Sequence, residues 1–225
     1  MRKPLFFQRP FNYSFYNATI ILIIINVAVF ALRLLAPNLG GLINDALTLI
    51  PRQIEARQNY WSVLTYLFVH SPETYTHILF NMFALFMFGT HIERKLGSTE
   101  FLLYYLITGL LTGITLFLLD PLMPGREMGI PIYYMGASAS IYAILLAFGT
   151  FFPNVTLRIW FVLPVKAYIL VIGLTAFSIF AQLTGLFGET SHIGHLAGLF
   201  FGVLYFVVRF RINPIKEFIN ARRYS

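Results

Sequence analysis

The stretch Met135-Gly136-Ala137-Ser138-Ala139-Ser140-Ile141-Tyr142-Ala143-Ile144-Leu145-Leu146 decides how this chain is read. A turn of small residues runs into an apolar segment long enough to enter a bilayer, and a serine stands at the junction. Two other apolar stretches carry polar side chains, His77 with Asn81 and His192 with His195. A hydroxyl, an imidazole and an amide are costly to place in hydrocarbon and there usually mark function.

Composition names the solvent. The 225 residues are 58% hydrophobic and 11% charged, with a mean hydropathy of +0.73. A soluble domain carries about a quarter charged residues and roughly 45–50% apolar ones. The expected fold class is therefore all-α, a polytopic membrane helix bundle, with room for about six spans of roughly 20 residues. Cysteine is absent, which removes disulfides, thiolate catalysis and Cys-based metal sites. The net charge of +7 comes from basic residues dispersed at the ends of apolar stretches. That fits membrane topology, and no nucleic-acid partner is expected.

The hydrophobic pattern predicts spans over about 18–36, 77–91, 101–119, 138–152, 167–181 and 192–210 of a single domain, 1–225, with a basic cytoplasmic tail over 211–225. The first apolar run follows Arg2, Lys3 and Arg9. It is too long for a signal peptide and lacks a small-residue cleavage site, so it reads as an uncleaved span. Pro37 to Thr76 is a long connection whose amphipathic pieces, Leu42–Ile50 and Trp61–Val69, predict a loop lying in the membrane interface. Tyr60, Trp61 and Tyr66 suit the headgroup region. With the N-terminus inside, the inner segments hold Arg2, Lys3, Arg9, Arg94, Lys95, Arg158, Lys166, Arg209, Arg211, Lys216, Arg222 and Arg223. These are 12 of the 16 basic residues, as the positive-inside rule requires. His77, Ser138 and His195 then fall at a similar depth, a few residues below the outer surface.

Each polar residue has two readings. Ser138 at a helix start faces unpaired backbone N–H groups and the positive end of the dipole, which favour an oxyanion; Gly136, Ala137 and Ala139 let a substrate backbone approach. The same residues also describe a small-residue packing face. Gly198 and Gly202 form a small-xxx-small stripe one turn beyond His195, so that imidazole belongs beside a close helix contact. If the partner is the Ser138 helix, base and nucleophile meet; otherwise His195 is a packing histidine. His192, on the same face but nearer the loop, is expected to be interfacial. His77 and Asn81, at i and i+4, share one helix face and supply donors of the kind an oxyanion needs. A metal site at His77, His192 and His195 competes, but there is no HExxH pattern and no nearby intramembrane carboxylate. Asp45 and Asp120, the only aspartates, fall in loops, which argues against an aspartyl intramembrane protease. The expectation is a Ser–His dyad with no third carboxylate, no metal and no cofactor. Tyr142, one turn past Ser138, can support the imidazole by packing.

Taken together, these residues resemble the rhomboid family of intramembrane serine proteases. The resemblance runs from about Trp61 to Gly202. It rests on His77-Ile78-Leu79-Phe80-Asn81, on Gly89, Glu93 and Gly97 at four-residue spacing, on Gly136-Ala137-Ser138, and on His195, Gly198 and Gly202. It implies a six-helix core with Ser138 as nucleophile and His195 as general base. His77, Asn81 and the Ser138 N–H would stabilise the oxyanion, and Tyr142 would pack on the catalytic histidine. Glu93 would belong to a structural network at the cytoplasmic end, and the fifth span would be the lateral gate for substrate. Ala139 stands where the family usually has glycine, and the Trp-Arg pair common in the first loop is absent. With no cytoplasmic domain before the first span and no seventh span, the sequence resembles the minimal bacterial form, in the inner membrane with both termini cytoplasmic. The implied partners are single-span or other transmembrane protein substrates and the lipid bilayer; the oligomeric state is left open. The alternatives are an inactive rhomboid-like protein that binds membrane proteins and, third, a small transporter, against which the missing inverted repeats argue.

Overall fold

The computed structural model describes residues 11–122, 131–159, 162–185 and 192–223. The expected N-terminal basic stretch, the middle of the 120–134 loop and the 186–191 part of the loop before His192 lie outside them. The described chain is mostly helical. Its main helices are α1 (Ala18–Leu35), α2 (Pro37–Leu47), α3 (Tyr75–Ala84), α4 (Thr90–Leu96), α5 (Ser98–Leu119), α6 (Ser138–Phe151), α7 (Ala167–Thr184), α8 (His192–Tyr205) and α9 (Pro214–Arg223). Among the described residues, four helical stretches are both long and apolar enough to cross a bilayer: Ala18–Leu35, Ser98–Leu122, Ala167–Thr184 and His192–Phe210. The other two expected spans differ. The second runs unbroken through α3, a π-helical segment at Leu85–Gly89 and α4, and the fourth, α6, has only 14 residues.

Helix α6 is the centre of the bundle. From Ala139 to Thr150 every residue but Tyr142 is buried, and α5, α7 and α8 all pack against it. Its small residues make this possible. A Cβ on Gly198 of α8 would lie 2.1 Å from the Ala139 carbonyl oxygen, so the two backbones touch there. Next along α8, Gly202 leaves room for the Tyr104 hydroxyl, which donates to the Ala143 carbonyl at 2.6 Å. Ser140 closes the other side by donating to the Tyr105 carbonyl at 2.8 Å.

The first loop is a folded unit. The last carbonyls of α2 have no helical partner, and side chains satisfy them: Asn59 Nδ2 donates to Asp45 O at 3.0 Å, Trp61 Nε1 to Ala46 O at 2.8 Å and Thr65 Oγ1 to Leu47 O at 3.0 Å. The turn Ser62–Thr65 then sits on α5 at Gly109 and Gly113, where added methyls would run into Leu67 and the Val63 carbonyl. Tyr60 and Trp61 are exposed, but the expected interfacial Tyr66 is 3% exposed. Its hydroxyl donates to the Gly109 carbonyl at 3.0 Å, because the glycine groove draws it into the protein.

The opposite end is held by two carboxylates. Glu93 accepts from the Ala18 and Thr19 amides at 2.6 and 2.9 Å and from the Ser98 hydroxyl, joining α4 to the start of α1. Glu100 accepts from Tyr205 at 2.6 Å and pairs with Arg209 at 2.7 and 2.8 Å, joining α5 to the end of α8. Two elements depart from the expectation. The connection around Arg158–Lys166 is an antiparallel hairpin of β1 (Thr156–Ile159) and β2 (Leu163–Lys166), so the chain is not wholly α. The expected basic tail contains α9, which lays Phe218 against Gly149 and Tyr168.

Candidate active site

Ser138 is the first residue of α6, and three local features hold it there. Gly136 has φ +114°, a conformation that side chains with a Cβ rarely adopt. Its N–H donates to the Tyr66 carbonyl at 2.9 Å, and Tyr134 exchanges backbone hydrogen bonds with Leu49 at 2.9 and 3.2 Å. The first loop therefore fixes the approach to the helix. A Cβ on Gly136 would also fall 2.8 Å from His77 Cε1 and 2.9 Å from His77 Nε2. The bare α-carbon is what lets the imidazole lie against the turn.

The Ser138 hydroxyl oxygen lies 3.0 Å from His195 Nε2. The close contact of Gly198 with Ala139 brings α8 near enough for this, one turn from His195. Tyr142 stacks on His195 with ring centroids 4.2 Å apart and planes 10° apart. His195 Nδ1 has no hydrogen-bond partner among the described residues, so packing, not a carboxylate, orients the ring. Asn81 is buried and donates to the His77 carbonyl on its own helix at 2.8 Å, leaving its second amide hydrogen for another acceptor.

His192 corrects an expectation. It is 4% exposed, not interfacial, and its ring lies 5.8 Å from that of His195 and 5.9 Å from that of Phe177. Helix α7, which carries Phe177, covers the face on which it sits. Among the described residues no group of three His, Asp or Glu side chains is placed to hold a metal ion. A 450 Å³ cleft between α6, α7, α8 and α9, lined by Leu146, Thr175, Leu199 and Phe218 among others, is almost wholly apolar and offers no reactive group.

Sequence reasoning passed over two features that shape the site. His70 in the first loop is fully buried, with its ring centroid 5.2 Å from that of His77; it lies before the helix that carries His77, so their approach is a loop fold that spacing does not reveal. Gly109 and Gly113 were visible as a small-xxx-small pair, but their partner is a loop, which spacing cannot reveal.

The arrangement is a hydroxyl at hydrogen-bond distance from an imidazole nitrogen. It stands at a helix N-terminus, where backbone N–H groups are unpaired, with a second imidazole against the same turn. A family model described as the Rhomboid domain matches residues 57–212. The rhomboid protease GluP of Bacillus subtilis is 31% identical over 146 residues, 65% of this chain and 26% of that protein. The rhomboid protease GlpG of Haemophilus influenzae is 27% identical over 156 residues, 69% and 72% of the two chains. The mitochondrial rhomboid protein 1 of Saccharomyces cerevisiae is 28% identical over 136 residues, 60% and 38%. The chain spans less than half the length of the Bacillus and yeast relatives it matches. With that match over more than half of its residues and its set of membrane-length helices, the chain is an integral membrane protein and belongs to the rhomboid family.

Proposed function

We propose that this protein is an intramembrane serine endopeptidase that works through a Ser138–His195 dyad. The observation that carries the reading is the 3.0 Å approach of Ser138 Oγ to His195 Nε2 at the start of a buried helix. His195 takes the hydroxyl proton as Oγ attacks the scissile carbonyl carbon. The tetrahedral oxyanion is stabilised by the Ser138 N–H, His77 and Asn81. Collapse breaks the C–N bond, with the proton passing from His195 to the leaving amine. Water, activated by the same imidazole, then hydrolyses the acyl-enzyme. Tyr142 holds the imidazole plane and Gly136 keeps the turn open to His77.

The helix length supports cleavage below the outer surface. A 14-residue helix rises about 21 Å at 1.5 Å per residue, short of the roughly 30 Å hydrocarbon core. In the six-span topology with both termini cytoplasmic, Ser138 then lies several ångströms inside the outer face. The substrate would be a single-span membrane protein cut near the outer end of its helix, in the inner membrane of a bacterium. The test is cleavage of a single-span substrate by the purified protein in detergent. Wild type should cut, and Ser138→Ala and His195→Ala should lose at least about 10³-fold. Cleavage retained in Ser138→Ala would overturn the mechanism.

A further inference from the structure

His70 is a buried titratable group beside the active-site turn that the proposed mechanism leaves unused. It is 0% exposed, and neither ring nitrogen has a hydrogen-bond partner among the described residues. Its backbone is fixed: Arg33, at the end of α1, donates to the His70 carbonyl and also to Asn44 Oδ1 at 3.1 Å. The ring is aimed at the active-site turn. It lies 5.2 Å from the His77 ring, tilted by 57°, and the point where a Gly136 Cβ would stand is 3.9 Å from His70 Nε2 and 2.9 Å from His77 Nε2. Both imidazoles converge on the bare α-carbon of Gly136.

We infer that His70 is a positioning residue for His77, donating its ring N–H to one nitrogen of His77 and so holding the proton on the other. The inference rests on the oxyanion role proposed for His77. A neutral imidazole has one donor and one acceptor nitrogen, and the partner of one decides the state of the other. To donate to an oxyanion, His77 must carry its proton on the nitrogen facing the substrate, so its remaining nitrogen must accept. His70 is the buried donor in reach without another use. Burial first, then His77 and Arg33, lower its pKa to about 3, so it stays neutral and keeps the single N–H required. A small rotation of either ring, or one bridging water, closes the contact; such hydrogen bonds commonly tighten only when substrate binds.

The experiment is a kinetic cycle on the full chain with a single-span substrate, using His70→Phe, His70→Gln, His77→Ala and the double variant His70→Phe/His77→Ala. The Tm of each purified variant in detergent reports whether it is folded. His77→Ala should lower kcat by about 10²-fold or more, as for loss of an oxyanion donor. His70→Phe should lower kcat by about tenfold or more with KM within about twofold, and His70→Gln should recover most of the loss by restoring a donor. In the His77→Ala background, His70→Phe should cost nothing further. Equal losses for Phe and Gln, additive losses in the double variant, or a His70→Phe effect confined to Tm would overturn the inference. If His77→Ala itself leaves kcat unchanged, the oxyanion assignment fails first and takes this inference with it.

Discussion

Replacing Gly198 by alanine tests whether the helix contact sets the chemistry. The added methyl would lie 2.1 Å from Ala139 O, 2.8 Å from Ala139 C and 3.1 Å from Ala139 Cα. All three are backbone atoms of a buried helix and cannot swing aside. Restoring the 3.4 Å of ordinary contact requires α8 to retreat by about 1.3 Å. His195 is one turn away on the same helix, so its 3.0 Å approach to Ser138 would open beyond hydrogen-bond range. A misplacement of about 1 Å at a reacting pair costs on the order of 10²-fold in rate. Overpacking costs about 1–3 kcal/mol in stability. Gly173 on α7 is the matched control, because a methyl there meets nothing within 4 Å and helix propensity favours alanine by about 1 kcal/mol. The assay measures kcat for substrate cleavage, the rate of fluorophosphonate labelling at Ser138, and Tm. Gly198→Ala should lose about 10²-fold in kcat and labelling rate, while Gly173→Ala keeps both. Full activity in Gly198→Ala would refute the claim that this contact sets the Ser138–His195 distance.

Other outcomes follow from single side chains. Tyr142→Phe keeps the ring stacked on His195 and should leave kcat within about threefold of wild type, while Tyr142→Ala removes an aromatic contact worth about 0.5–1.5 kcal/mol and should lower kcat by about tenfold with KM little changed. Glu100→Ala removes the carboxylate paired with Arg209, whose side chain is 10% exposed, and should cost about 3–5 kcal/mol; the Glu100→Ala/Arg209→Ala pair should be less damaging, as chemical denaturation in detergent would show. Burial works to raise the Glu93 carboxyl, but the hydrogen bonds from Ser98, Thr19 and Ala18 outweigh it and its pKa is lowered. A depressed carboxylate contributes stability above its unfolded pKa and loses it as pH falls through the folded value, so Glu93→Gln should have the lower Tm at neutral pH and the gap should close on acidification below about pH 4.

Much of the site was legible because the bilayer makes polar residues conspicuous. Ser138, His195, His77 and Asn81 stand out against Phe, Leu and Ile, and Gly198 and Gly202 mark a close contact on the His195 helix. The partner of that contact was not legible: spacing says that a stripe is narrow, not what fills it. Gly198 meets Ala139, whereas Gly109 and Gly113, with the same spacing, meet the first loop at Val63 and Leu67. Tyr66 was read by residue type as interfacial, and His192 by its nearness to a loop. Both are buried, because neighbouring elements cover them. The Thr156–Lys166 hairpin was missed for a related reason. Its two strands have four residues each, too few for alternation to show.

The sequence by itself determined the solvent, the approximate run of the apolar helices and the chemical types available, since hydrophobicity and the cost of polar groups in lipid are properties of local segments. Only the tertiary structure decided which polar groups meet. The 3.0 Å between Ser138 and His195 joins residues 57 positions apart, and the His70–His77 approach is fixed by Arg33 on another helix and by a missing side chain at Gly136. Those distances are set by how closely backbones can approach, and that depends on which surfaces the fold presses together.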